Sequence, residues 1–306
     1  MRCYATALAL AAVATVTHGH PTQAAGTAGT AESERPTARS TEFATLLGGS
    51  SPDDSYGPPI GHPGPNGSNG TLYCPDGQRG DINEEHGDVT FENGGWTFRG
   101  DARVSSKASW NLLGGYIAFD MDVTGVAPEV NTNLYTSSTS QPNCGERCYC
   151  DIQKSPSGKP SCMEMDFVEN NGRCAMATTI HTFATDGTPN NPNCDRWGCS
   201  SGLGLPSNGK FHVHAALDLD GTLLLTLDGQ VNNNWNVAPS QQSNTVVVKT
   251  MGSIGAAIVS SQWFGWAPAE GQCPSGDKSG LAASVFRVSN VRVQGTVMQG
   301  PEPSKC

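Results

Sequence analysis

The sequence predicts an all-β protein, built as a sandwich of two antiparallel sheets. Short alternating or β-branched runs recur along the chain, as expected for many strands. Each run is bounded by Gly, Asn, Asp or Pro, and the 306 residues include 37 Gly and 20 Pro. No stretch shows sustained helical periodicity, which leaves an antiparallel sandwich as the natural class.

Eight runs are predicted to form strands of this sandwich. They are Asp88 to Phe91, Gly95 to Arg99, Tyr116 to Val123, Phe211 to Leu219, Thr222 to Leu227, Thr245 to Val248, Ile254 to Val259 and Val285 to Val293. Asp220-Gly221 lies between two of them and is a strong signal for a two-residue hairpin turn. We therefore expect the two runs on either side of this turn to form a hairpin.

The start of the chain is predicted to be a secretory signal peptide over residues 1–19. Arg2 precedes an apolar run from Tyr4 to Val16, which has the right length and flanks for such a signal. The run is too short to span a membrane, and no later stretch of about 18 apolar residues exists. We therefore expect the mature protein to be secreted and extracellular.

A flexible linker is predicted to follow over residues 20–70. This segment is rich in Ala, Thr, Gly, Ser and Pro and has few large apolar side chains to bury. Asn66 and Asn69 begin two adjacent glycosylation sequons, which suit a secreted loop. The rest of the chain predicts one domain over residues 71–298 and a short tail over residues 299–306.

The cysteine count predicts disulfides. Of 11 Cys, Cys3 lies in the predicted signal peptide, so ten remain, enough for up to five disulfides in an oxidising compartment. The alternative is a metal cluster, because Cys144, Cys148, Cys150 and Cys162 have loosely zinc-like spacing. The secretory context favours disulfides, and spacing alone does not fix their pairing.

The charge balance restricts the partners. The net charge is -10 and only 15% of the residues are charged, so no basic patch is available to attract phosphate. We expect no nucleic-acid partner, no membrane partner and no cofactor, and we expect a monomer. A neutral polysaccharide fits this surface, although charge alone does not identify one.

The most informative stretch carries Glu164, Asp166 and Glu169 inside an apolar, strand-like run. Residues two apart share a face of a strand, so Glu164 and Asp166 project together, whereas Glu169 has the wrong parity. A β-bulge between Asp166 and Glu169 would turn the second Glu to the same side. The carboxyls could then approach to about 5 Å, which is the spacing of a retaining glycosidase. The alternative is an ordinary polar strand face.

The same stretch resembles a known family. E-M-D-F-V-E-N-N is similar to the E-x-D-x-x-E strand of clan-B glycoside hydrolases, and in particular to the E-M-D-I-W-E-A-N signature of family 7 cellulases. The resemblance covers about residues 88 to 298. Further similar segments are Phe119 to Val123, Asn131 to Tyr135, Tyr149 to Gln153, Cys194 to Cys199 and Ser289 to Val293.

The resemblance implies a concanavalin-A-like jelly roll with disulfide-stapled loops, in which Cys150 pairs with Cys162 and Cys194 with Cys199. One expected disulfide of the family is missing at both ends, because Lys154 and Ser161 stand where its cysteines would be. The chain is also much shorter than a typical member. The loops that roof a tunnel are therefore expected to be absent, which implies an open, endo-acting cleft.

The resemblance also implies roles for individual residues. Glu164 would be the nucleophile, Asp166 the assisting carboxylate, and Glu169 the acid/base with a pKa raised by its neighbours. Eight residues would bind substrate or support the carboxylates: Asn131, Tyr135, Asp151, Gln153, His181, Trp197, Trp263 and Trp266. Trp263 and Trp266 could equally pack in the core, and core packing is favoured for Trp96 and Trp110.

Three other motifs have simpler interpretations. His212-Val213-His214 places two imidazoles on one strand face, but no third zinc ligand is evident, so a solvated or cleft-lining face is favoured. Asp218-Leu219-Asp220-Gly221 lacks the other oxygen ligands of a calcium loop and indicates a turn. His18-Gly19-His20 could begin a copper site after cleavage, but a flexible linker cannot hold a rigid one.

Together these features predict a secreted retaining endo-β-glucanase that acts on β-1,4 or mixed-linkage glucan. A β-1,3(4)-glucanase of the related family 16 type is the nearest alternative, because the whole clan shares E-x-D-x-x-E. A lectin-like protein on the same fold is an alternative of another class, but a lectin has no need of all three carboxylates. The sequence leaves the linkage open.

Overall fold

Strands dominate the part of the chain that the computed structural model describes, which is residues 71–138, 164–180, 199–219, 223–234, 255–269 and 271–306. The strands are β1 Thr71–Tyr73, β2 Ile82–Glu92, β3 Gly95–Gly125, β4 Val130–Ser138, β5 Glu164–Asn171, β6 Ala175–Ile180, β7 Cys199–Leu203, β8 Lys210–Leu217, β9 Leu223–Leu227, β10 Gln230–Asn234, β11 Ala256–Phe264 and β12 Val285–Gln299. A helix, α1, spans Lys278–Ala283, and a 3₁₀ turn spans Gly77–Arg79. The predicted all-β class is confirmed.

The long strand β3 connects two layers of the sandwich. The strands hydrogen-bond in the order β10-β9-β8-β3-β11-β4-β5-β6-β7. The middle of β3, from Ala102 to Trp110, pairs with β11, whereas its later part, from Gly115 to Asp122, pairs with β8. We call β11, β4, β5, β6 and the middle of β3 the first layer, and β8, β9, β12 and the end of β3 the second layer.

β2 and β12 complete the two layers. The start of β2 pairs with the middle of β3, with Asn83 opposite Ser105, so it forms an edge of the first layer. β12 lies between two parts of β3, since Val288 is opposite both Trp96 and Met121. Gly115 permits this close approach, because a Cβ there would lie 2.0 Å from the Gln294 carbonyl oxygen.

The core fills the space between the layers. One apolar cluster contains side chains from both, among them Leu134 and Met165 from the first layer and Phe119 and Val213 from the second. Trp96 and Trp110 are each 1% exposed, so their predicted core packing is confirmed. Burying such apolar surface is the main force that holds the layers together.

Two disulfides fasten the ends of the fold. Cys74 is bonded to Cys306, which ties β1 to the end of the chain. Cys174 is bonded to Cys273, which ties the turn between β5 and β6 to the segment after β11. The pairings of Cys150 with Cys162 and of Cys194 with Cys199 lie outside the described residues.

The predicted strands agree with these elements wherever the structure describes them. Each overlaps a strand, although β8 ends at Leu217, two residues earlier than expected. The Thr245 to Val248 run and the Asp220-Gly221 turn lie outside the described residues, as do residues 1–70. No helix in the described ranges is long and apolar enough to cross a membrane.

Candidate functional site

The three carboxylates of the sequence motif lie on β5, and all of them are almost inaccessible to solvent. Glu164 and Asp166 are each 3% exposed, and Glu169 is 7% exposed. Charged groups so far from water persist only where hydrogen bonds or opposite charges compensate for lost hydration. An ordinary polar strand face would instead be solvated.

A β-bulge in β5 brings Glu169 to the side of Asp166. Along β6, Asp166 is opposite Thr179 and Glu169 is opposite Ala177, so three steps on β5 match two on β6. The extra residue falls at Phe167-Val168, and both of these side chains enter the core cluster. The predicted bulge between Asp166 and Glu169 is therefore confirmed. We call this side of the first layer the carboxylate face.

Both oxygens of the Glu169 carboxyl accept hydrogen bonds from neighbouring strands. The Thr179 hydroxyl on β6 donates to Oε2 at 2.9 Å, and the Asn131 amide on β4 donates to Oε1 at 3.2 Å. Thr179 is the ladder partner of Asp166, and cross-strand partners project to the same face. The contact with Thr179 therefore places Glu169 on the same face as Asp166.

Side chains from β4, β11 and β3 extend from the carboxylates in rows that cross the first layer. Ser137 on β4 is opposite Glu164. The second row runs from Asp166 through Tyr135 and Val259 to Ser105, and the third runs from Glu169 through Asn133 and Ser261 to Arg103. The Arg103 guanidinium carbon lies 5.9 Å from the centre of the Tyr135 ring, which joins the second and third rows.

Asn133 joins its neighbours into a buried polar network. Its Oδ1 accepts hydrogen bonds from the Ser261 amide at 2.8 Å and the Ser261 hydroxyl at 3.0 Å. Its Nδ2 donates to Asn131 Oδ1 at 3.4 Å, and Asn131 in turn contacts Glu169. The network therefore fixes the orientation of the Asn131 amide beside the candidate acid/base.

The two candidate tryptophans lie beyond Glu169, at the end of β11 and just after it. Trp263 is opposite Asn131 in the ladder and is half-buried. Trp266 is 46% exposed, and its carbonyl oxygen accepts a hydrogen bond from Asn131 Nδ2 at 3.3 Å. Asn171 Nδ2 holds the same segment through the Pro268 carbonyl at 2.8 Å. Trp266 is therefore not packed in the core.

The histidine pair lies on the second layer, away from the carboxylate face. Val213 fills the core, so His212 and His214 project from the opposite side of β8. His212 Nδ1 lies 2.6 Å from Asp120 Oδ1, and the His214 ring stacks on Tyr116 with centroids 4.7 Å apart. Both imidazoles are largely buried on the layer away from the carboxylate face, so the interpretation of this pair as a solvated or cleft-lining face is wrong. In the described residues, no group of three or more His, Cys, Asp or Glu is arranged to hold a metal ion.

Burial acts to raise the pKa of the Asp120 carboxyl, but hydrogen bonds from His212 and Asn290 outweigh it and hold the pKa below its usual range. For His214, burial and the nearby His212 lower the imidazole pKa to about 4.

Four predicted binding residues, Asp151, Gln153, His181 and Trp197, lie outside the described residues. Sequence reasoning missed Thr179, Asn133 and Arg103, which the fold brings to the carboxylate face. Asn133 alone carried a usable signal, because it alternates with Asn131 and Tyr135 and so shares their face of β4.

Comparisons with known proteins find a similar fold among solved structures. No protein-family model and no curated protein matches the chain. Among solved structures, an endocellulase EGI from Humicola insolens is 18% identical, with a TM-score of 0.48 over 66% of this chain and 76% of that one. A cellobiohydrolase from Melanocarpus albomyces, solved with cellotetraose, is 16% identical, with a TM-score of 0.48 over 68% of this chain and 79% of that one.

A GH7 family cellobiohydrolase from Daphnia pulex is also similar, at 14% identity and a TM-score of 0.44 over 66% of this chain and 78% of that one. Identities this low describe a likeness of fold, so the case for a function rests on the side chains of the carboxylate face. The three structures named are an endocellulase and two cellobiohydrolases, one of them described as a GH7 family member.

Proposed function

We propose that this chain is a secreted retaining glycoside hydrolase that cleaves internal β-glucosidic bonds of a β-1,4 or mixed-linkage glucan. The observation that carries the proposal is the bulge in β5, which puts Glu164, Asp166 and Glu169 on one face of one strand. Double displacement requires a pair of carboxyls, and β5 carries such a pair with a third carboxyl between them. The disulfides support secretion.

In the proposed reaction, Glu164 attacks the anomeric carbon and forms a glycosyl-enzyme bond while the glycosidic oxygen leaves. Asp166, between the two glutamates, orients Glu164 and adjusts its charge. Glu169 gives its proton to the leaving oxygen and then takes one from the water that releases the sugar.

The contacts of Glu169 suggest where its proton resides. The Asn131 amide nitrogen can only donate, so Oε1 must accept from it in either protonation state. The Thr179 hydroxyl can donate or accept, because its hydrogen rotates. We therefore assign the proton of the acid form to Oε2, where it would point at the Thr179 hydroxyl, or at the leaving oxygen during reaction.

The surrounding side chains suit a polyhydroxylated chain. Trp263 is the ladder partner of Asn131, which contacts Glu169, and the exposed Trp266 follows shortly after it, so both could supply aromatic rings for stacking on a sugar. Arg103 and Asn133 place polar groups along the rows that cross the face. Such a surface combines apolar stacking with hydrogen bonding, as saccharide sites do.

The direct test is hydrolysis by the purified chain of barley β-glucan, carboxymethylcellulose, laminarin and xylan. Glu164→Gln and Glu169→Gln are each expected to remove nearly all activity, because an amide supplies neither a nucleophile nor a transferable proton. Asp166→Asn is expected to cost less, and Glu84→Gln, an exposed carboxyl on β2, serves as the control.

Early-time NMR of the reducing end is expected to show β product. More than a few per cent of activity in both Glu variants, or an α product, would overturn the mechanism. Release of sugars from laminarin alone, and from none of the other substrates, would identify the β-1,3(4)-glucanase alternative. Saccharide binding with no hydrolysis by the wild type would identify the lectin alternative.

A further inference from the structure

A second bulge lies at the far edge of the first layer, in β2. Glu84 is opposite Val104 and His86 is opposite Arg103, so two steps on β2 match one on β3. The extra residue of this bulge is Glu85. A bulge of this kind changes the direction of a side chain at a sheet edge, and such bulges are common beside active sites.

The Glu85 side chain lies on the carboxylate face. The Ser105 hydroxyl donates a hydrogen bond to Glu85 Oε1. Ser105 belongs to the row that continues through Val259 and Tyr135 to Asp166. Since members of one row project to one side, the Glu85 carboxyl and the three catalytic carboxyls share that side.

Strand spacing gives the distance between the Glu85 carboxyl on β2 and the three carboxyls on β5. β2 and β5 are separated by β3, β11 and β4, which makes four intervals of about 4.8 Å, or about 19 Å in all. This is too far for a role at the cleaved bond. It is the distance at which a glucan lying across the strands would place a sugar several units from the cut.

Glu85 is more exposed to solvent than the other residues of the row and therefore lies at its outer end. The residues nearer the cut are buried, with Ser105 4% exposed and Tyr135 2% exposed, whereas Glu85 is half-buried. A chain that enters along the row from this edge meets the Glu85 carboxyl first. A partly desolvated carboxylate accepts hydroxyl hydrogen bonds well but repels another anion more strongly than one in open water would.

We propose that Glu85 is a specificity-determining residue that accepts a neutral sugar at the remote end of the substrate groove and disfavours a sugar carrying a carboxylate. This inference rests on the proposed function and extends it to the class of substrate: unsubstituted β-glucan over carboxylated glucan. Two like charges about 4 Å apart repel by about 1 kcal/mol even in water, which weakens binding about fivefold. We take this fivefold change as the smallest effect expected from removing the Glu85 charge.

The experiment compares two derivatives of barley β-glucan with equal degrees of substitution, one carboxymethylated and one hydroxyethylated. Both carry a bulky group, but only the first carries charge, so the ratio of their kcat/KM values isolates the charge. Glu85→Gln is expected to raise the carboxymethyl-to-hydroxyethyl ratio at least fivefold. Glu84→Gln, which removes the same charge one residue away without a contact to Ser105, is expected to change the ratio less than twofold.

Salt gives an independent readout. In the wild type the ratio is expected to rise between 20 mM and 500 mM NaCl because ions screen the repulsion, and in Glu85→Gln this rise is expected to be smaller. A ratio that Glu85→Gln leaves unchanged, or that Glu84→Gln changes equally, would overturn the inference while hydrolysis itself stands.

Binding measurements test the same preference without turnover. They compare the affinities of the two derivatives for the Glu164→Gln variant and for the double variant that also carries Glu85→Gln. If the wild type hydrolyses neither derivative but binds both, the proposed hydrolysis fails and the affinity ratio still decides the role of Glu85. If the protein neither cuts nor binds either derivative, both proposals are overturned.

Discussion

The Thr179 hydroxyl lies 2.9 Å from Glu169 Oε2, although the ladder partner of Thr179 is Asp166, three positions earlier on β5. The bulge explains this diagonal contact, because it shortens β5 by one residue relative to β6. One threonine therefore lies beside both the central carboxylate and the candidate acid/base. The proton of Glu169 and its orientation depend on the same hydroxyl.

Replacing Thr179 is expected to slow the reaction without unfolding the protein. Thr179→Val keeps the shape but removes the hydroxyl, and a hydrogen bond to a charged group is typically worth about 1.5–3 kcal/mol, so kcat is expected to fall about tenfold or more. Thr179→Ser keeps the hydroxyl and is expected to retain most of the activity. Steady-state kinetics on soluble β-glucan would measure both, and equal kcat values for Val and Ser would contradict the assignment.

The two bulges show what the sequence could and could not predict. The bulge in β5 follows from three carboxylates whose spacing fits one strand face only if a residue is absorbed. The bulge at Glu85 carries no such signal, since two adjacent glutamates, Glu84 and Glu85, on a polar edge strand fit either parity. Thr179 and Arg103 could not be assigned either, because only the strand pairings bring these ordinary residues to the site.

The continuous path of β3 could not be predicted from the sequence either. Gly100 and Gly114-Gly115 read as chain breaks, but Gly100 has φ +66° within a continuous strand that changes layers. A glycine with a left-handed backbone bends a strand as readily as it ends one, and local composition does not distinguish these outcomes. The predicted strands were therefore correct in place, but β3 was predicted as separate pieces.

The two disulfides are expected to differ in their effect on catalysis. Cys174–Cys273 closes 99 residues and holds the segment whose Trp266 carbonyl contacts Asn131, beside Glu169. Replacing both cysteines with Ser is expected to cost about 2–4 kcal/mol of unfolding free energy and also to lower kcat/KM several-fold. Denaturant melts and kinetics well below the melting transition would separate the two effects.

The matched control is Cys74–Cys306, which closes 232 residues and ties β1, which pairs with β12, to the end of the chain. Its double Ser variant is expected to lose comparable stability with unchanged kcat/KM. Equal kinetic losses in both variants would show that the Trp266 segment is positioned without the help of Cys174–Cys273.

Stability is expected to fall in mild acid because of His214. Its pKa in the fold is about 4, lowered first by burial and then by His212, against 6.5 for an unperturbed histidine. Between these values the unfolded chain binds a proton that the folded chain does not, so stability is lost as the pH falls from about 6.5 toward 4. The contribution at pH 4.5 is on the order of 2 kcal/mol.

His214→Phe removes this proton while keeping a ring beside Tyr116. Urea denaturation at pH 7.5 and 4.5 is expected to show a smaller loss of stability for His214→Phe than for the wild type. An equal loss in both proteins would mean that His214 becomes protonated in the fold without penalty.

The last prediction concerns the pattern of cleavage. Two accessible side chains flank the polar rows: half-buried Glu85 at the β2 edge, and Trp266, which is 46% exposed, just after β11. The proposed cleft is open, because the chain is much shorter than a typical member of the family that its sequence resembles, and an open cleft would not retain a glucan between cuts. We therefore expect internal cleavage with release after each cut, so the viscosity of soluble β-glucan is expected to fall much faster than reducing ends accumulate. Measuring both in one time course decides the point, because cellobiose as the main product from the first minutes, with viscosity falling only in proportion, would identify an enzyme that acts from the chain ends.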